Sequence, residues 1–160
     1  MDIFEYAMQM EKDGEIYYRE LSARTGNKGI KNILTMLADA EVIHYKIFQA
    51  MKGKEQIPAI DSKGLADIKN IFARLKEEVP TEVDSTQVAL YRKAQDIEKK
   101  TRDFYLERAE ASQDMLEKTT FQKVANEENM HYLIMGNIID FVNAPATWLE
   151  NPEWYHMEEY

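Results

Sequence analysis

The sequence predicts an all-α protein in which four long helices form a bundle of two hairpins joined by a long crossover. Three observations carry that prediction. Glycine and proline are scarce (6 and 4 in 160 residues) and fall between long stretches of helical periodicity. Within four such stretches, apolar residues recur every three or four positions, the spacing of a single helix face. Two of the three connections between them are short enough to force an antiparallel return, while the third, from Gly53 to Asp84, is long.

The first helix is expected from near Asp2, which stands at capping-box distance from Glu5, to about Arg24. Its inward seam reads Phe4, Ala7, Glu11, Gly14, Tyr18 and Leu21, so a glutamate interrupts an apolar stripe. Thr25-Gly26-Asn27 is a turn. The second helix, about Lys28 to Lys52, has the seam Ile30, Leu34, Leu37, Glu41, His44, Phe48 and Met51. The crossover holds one amphipathic stretch, Leu65 to Leu75, read as a short accessory helix. A third helix is expected from Asp84, with Gln87 at capping distance, to Ala111; its seam is Tyr91, Ala94, Glu98, Thr101, Tyr105 and Arg108. The fourth starts at the Asp114/Glu117 pair, carries Phe121, Val124, Glu128, His131, Met135, Ile138 and Val142, and ends before Pro145. Residues 1–145 thus make the bundle. Residues 146–160, rich in Trp and Tyr, form a tail expected to pack on the bundle or on a partner subunit. Two short-loop hairpins joined by one long crossover have ferritin-like connectivity.

Composition narrows the function. A net charge of −9 argues against nucleic acid and anionic membranes as partners. No apolar run approaches a membrane span, and no signal peptide is visible at the N-terminus. The absence of cysteine suits a cytoplasmic location and rules out a rubredoxin-type iron site within these 160 residues.

The chemistry lies in two Glu-x-x-His motifs, Glu41/His44 and Glu128/His131. On a helix, residues three apart share a face and can reach one point. The second motif follows the first by 87 residues (41 to 128, 44 to 131). The same offset relates Ala7 to Ala94, Glu11 to Glu98, Lys12 to Lys99, Tyr18 to Tyr105 and Tyr45 to Tyr132. One gapless register therefore joins two halves, each with a lone seam glutamate followed by Glu-x-x-His.

Four carboxylates on inward seams must be protonated, paired with buried cations or bound to metal. No lysine lies on the seams, and Arg108 is near a helix end. Two divalent cations match four carboxylates charge for charge. The mixed oxygen and nitrogen donors suit iron, with manganese or a mixed pair as alternatives, better than structural zinc. Glu41 and Glu128 are the expected bridging ligands, Glu11 and Glu98 the terminal ones, and His44 and His131 bind one metal each. Tyr18 and Tyr105, two turns beyond the terminal glutamates, are either core aromatics or hydroxyl donors to ligand carboxylates. Glu15 is a candidate extra ligand. Gly14 and Thr101 either leave room for a small oxidant or, for Gly14, merely allow close helix approach. A single Glu-x-x-His arises readily by chance on a helix surface; two in one register, each on a core face, do not.

With these residues in place, the chain resembles the rubrerythrin family of ferritin-like di-iron carboxylate proteins, over residues 2 to about 142. Glu11 with Tyr18, Glu41 with His44, Glu98 with Tyr105, and Glu128 with His131 carry the resemblance. It implies a non-haem di-iron centre that reacts with hydrogen peroxide or dioxygen in oxidative-stress defence, usually in a homodimer. Two departures stand out. With no cysteine for a rubredoxin site, electrons must come from another protein or from ferrous iron. The further glutamate expected about one turn from Glu98 is also missing, since its neighbours are Ala94, Gln95, Thr101 and Arg102. Competing functions are a ferroxidase or iron-handling protein, a di-iron hydroxylase of an organic molecule, and a non-catalytic helical interaction module.

Overall fold

The computed structural model describes residues 2–60, 63–77 and 85–143. Among these residues there are five α-helices and no strand: α1 (Ile3–Arg24), α2 (Lys28–Gly53), α3 (Lys63–Glu77), α4 (Val88–Ala111) and α5 (Met115–Asn143). The chain divides into two compact units, Met1–Asp84 and Ser85–Tyr160, each holding one hairpin.

In the first unit α1 packs along α2. Asp2 caps α1 by accepting a hydrogen bond from the Glu5 amide at 2.8 Å. The reciprocal half of a capping box is replaced by an ion pair, because the Glu5 carboxylate joins Lys52 at the far end of α2. Asn27 closes the turn and caps α2 through its side chain, which accepts from the Ile30 amide at 3.0 Å. Most of the expected seam residues are buried: Ala7, Glu11, Tyr18 and Leu21 on α1, with Ile30, Leu34, Leu37, Glu41, His44 and Phe48 on α2, while Phe4, Gly14 and Met51 are half-buried. Fully burying an aliphatic or aromatic side chain of this size contributes about 1.5–3 kcal/mol. The accessory helix is present and longer than its apolar stretch. Its Ile68, Phe72 and Leu75 are buried against α2, where a Cβ on Gly29 would stand 3.0 Å from Leu75.

In the second unit α4 packs along α5. Here one expected boundary is wrong. Helix α4 starts at Val88, not near Asp84, and is preceded by a 3-10 turn over Ser85–Gln87. Gln87 occupies the cap position in helical conformation (φ −89°, ψ −2°) and makes no side-chain cap bond. The expected Asp84 cap lies outside the described residues. Asp114 does precede α5, though it accepts from the Leu116 amide (3.3 Å) and not from Glu117. The seam residues Tyr91, Ala94, Glu98, Thr101 and Tyr105 of α4 are buried, as are all seven expected on α5. The aromatic tail 146–160, with His156, lies outside the described residues.

Candidate metal centre

Each hairpin carries one buried triad. In the first, Glu11 comes from α1, and Glu41 and His44 from successive turns of one face of α2. They are 1%, 3% and 1% exposed. The His44 Nδ1 lies 3.4 Å from a Glu11 carboxylate oxygen and 3.9 Å from one of Glu41. In the second, Glu98 comes from α4, and Glu128 and His131 from α5. The His131 Nδ1 lies 3.4 Å from Glu98 and 3.8 Å from Glu128. Within each triad, one ligand atom per side chain lies within 4.8 Å of the others. The 87-residue register is therefore reproduced in space to about 0.1 Å in these contacts.

This geometry fits a metal on chemical grounds. In each hairpin two carboxylates and an imidazole nitrogen converge, on side chains that are at most 4% exposed. Desolvating such carboxylates costs several kcal/mol each unless a cation faces them. An imidazole nitrogen beside two carboxylates offers one nitrogen and two oxygen donors, a set suited to iron or manganese.

Surrounding residues refine the sequence expectations. Gly14 leaves room for the Glu41 carboxylate: a Cβ there would stand 3.3 Å from its Oε2 and 3.4 Å from its carboxyl carbon. The α2 carboxylate thus lies against the backbone of α1. Glu15 is engaged elsewhere, with one oxygen 3.1 Å from Lys12 Nζ and the other 2.8 Å from Arg19 Nε. Arg19, and then Lys12, hold its carboxyl below the ordinary value of 4.5. Arg19 also reaches Asp39 on α2 at 3.0 Å. Tyr18 and Tyr105 are buried, at 2% and 0% exposure, and Tyr105 packs against Phe121 with ring centroids 5.7 Å apart.

Sequence reasoning missed the polar closure of the second hairpin. Arg102 Nη1 donates to Asn129 Oδ1 at 2.6 Å, and its guanidinium carbon lies 5.6 Å from the centre of the Tyr132 ring. Gln95 Nε2 donates to the Tyr132 carbonyl at 3.2 Å and lies 3.0 Å from where a Cβ on Gly136 would be. The signal was available in the 87-residue offset, which sets Glu15 against Arg102 and Val42 against Asn129.

Helical hairpins that each bury a Glu/Glu/His triad define a protein of the ferritin-like carboxylate class. The Rubrerythrin family matches residues 2–139, and the chain belongs to that family, whose domain is a ferritin-like helical bundle. No match is found among curated proteins or among solved structures. Rubrerythrins are di-iron carboxylate proteins, and the buried carboxylates and imidazoles here fit that use. No helix among the described residues is long and apolar enough to cross a membrane.

Proposed function

We propose that the chain is a cytoplasmic, homodimeric di-iron oxidoreductase that reduces hydrogen peroxide in oxidative-stress defence, with dioxygen as the alternative oxidant. The observation that carries this reading is the matched pair of buried triads, each with imidazole Nδ1 3.4 Å from its lone glutamate. Glu11, Glu41 and His44, together with Glu98, Glu128 and His131, would hold two iron ions, with Glu41 and Glu128 bridging.

Bound iron supplies the two electrons that, with two protons, convert hydrogen peroxide to two waters. The residues of this chain do the rest. The carboxylates would balance the metal charge, and the helices that carry them fix where the ligand atoms stand. His44 and His131 would each supply an imidazole nitrogen. Tyr18 and Tyr105 are proposed as hydroxyl donors that orient ligand carboxylates. Another protein, or ferrous iron itself, is the proposed electron source.

Metal analysis after anaerobic loading tests the site. About two irons per chain are expected, with both lost in Glu41→Ala and in Glu128→Ala. Stopped-flow oxidation of the loaded protein tests the chemistry, with peroxide expected to react faster than dioxygen. A faster reaction with dioxygen, with ferric iron released, would replace this reading by the ferroxidase one.

A further inference from the structure

A cavity of about 570 Å³ opens on one side of the first hairpin, lined by residues of α1 and α2. The ligand carboxylates Glu11 and Glu41 line it, so it leads from solvent to two metal ligands. Met8, Val42 and Tyr45 form its partly buried walls. Glu5, Lys12, Glu15 and Lys46 stand around it as charged groups. From this cavity, and from its contrast with the equivalent face of the second hairpin, we infer that it is the route by which divalent cations reach the site. The inference rests on the two-metal reading above.

The contrast is position by position. The residue 87 places after Glu15 is Arg102, and the one after Val42 is Asn129. Where the first hairpin has an ionised glutamate beside a valine, the second has a guanidinium bonded to a buried carboxamide at 2.6 Å. Met8 becomes Gln95 and Gln49 becomes Gly136, and the Gln95 amide lies across the space that Gly136 leaves open. Side chains that line a cavity in one hairpin are thus replaced in the other by side chains that bridge the two helices.

The charges change in the same sense. Apart from the ligands, the first cavity has two acidic groups (Glu5, Glu15) and two basic ones (Lys12, Lys46). Their counterparts comprise three basic groups (Arg92, Lys99, Arg102) and one acidic group (Asp96). A dication approaching the second face meets three cationic groups, of which Arg102 is paired with Asp103, and a polar bridge between the helices; approaching the first, it meets two cationic groups matched by Glu5 and Glu15. Charge of one sign around a cleft changes on-rates by about 10- to 1,000-fold, depending on ionic strength.

The test exchanges these features between hairpins and follows Co²⁺ uptake by the apoprotein through its visible absorption in a stopped-flow instrument. Glu15→Arg with Val42→Asn transplants the bridge onto the first hairpin. It is expected to slow uptake about tenfold while leaving the Co²⁺ stoichiometry at equilibrium unchanged. Arg102→Glu with Asn129→Val removes the bridge from the second hairpin and is expected to accelerate uptake and make it biphasic. Wild-type uptake should slow with added salt, and the single variant Glu15→Gln, which adds no bulk, should show a shallower salt dependence. Wild-type rates in both exchanges at full stoichiometry would overturn the route while leaving the metal site standing. Failure of the wild-type protein to bind Co²⁺ at all would remove the two-metal reading itself, a separate result.

Discussion

The two hairpins agree at their buried triads and differ in the side chains around them. Inside, the histidine-to-glutamate distances are 3.4 and 3.9 Å in one and 3.4 and 3.8 Å in the other. Outside, Glu15 turns to Lys12 and Arg19 of its own helix, whereas its counterpart Arg102 crosses to Asn129 on the next one. Ligation admits few solutions, because donor type, helical phase and depth must all be right at once. A helix face away from the ligands need only be open or closed, and each hairpin settles that differently.

Metal removal probes what the hairpins share and should have the largest effect. A ligand at about 1,000 times its Kd stabilises the folded state by about 4 kcal/mol. For a chain of this size, each kcal/mol moves Tm by about 2–4 °C. Chelation is therefore expected to lower Tm by about 10 °C or more, measured by calorimetry on loaded and stripped protein. An unchanged Tm would mean that the triads tolerate their burial without a cation.

Gly14→Ala separates the hairpins at the ligands themselves. The new Cβ displaces Glu41 by a few tenths of an ångström, while the second hairpin already has a side chain, Thr101, at that position. Metal affinity is expected to fall about tenfold, as for other changes that misplace a ligand. The apoprotein should gain up to about 1 kcal/mol from better helix propensity. Titration with Co²⁺ and denaturation of the apo form should thus move in opposite directions; parallel losses would point to simple misfolding.

The smallest effect concerns acid stability. The Glu15 carboxyl is held below 4.5 by Arg19 first and Lys12 second. Its contribution is fully present above about pH 4.5 and is lost as pH falls through the lowered folded-state value. Glu15→Gln should cost less than about 1 kcal/mol near neutrality, as for partly solvated ion pairs, and nothing at pH values where Glu15 is protonated in both states. Urea midpoints of the two proteins should converge on acidification; a constant gap would show that the contribution is packing, not charge.

Much of this was readable in the chain itself. Helical phase is a local property, so a 3-4-3-4 spacing with Glu11 or Glu98 inside an apolar stripe already specifies an inward carboxylate. The 87-residue register pairs each residue of one half with its equivalent in the other. Local reading failed at the start of α4, where Gln87 sits in a 3-10 turn that residue type alone does not distinguish from a capping position. It also left open what the space above Gly14 holds, because that space belongs to whichever neighbour fills it, here the Glu41 carboxylate.

What the amino-acid order determined alone is the inward carboxylates and imidazoles, their duplication and the helices that carry them, since each follows from residue type and periodicity along one segment. Only tertiary structure decided that Glu41 leans against Gly14 and that Arg102 bridges to Asn129. These are relations between side chains on different helices, separated by 27 residues in both cases. Their distances depend on how closely two helices approach and which rotamer fills the gap, quantities that no single segment contains.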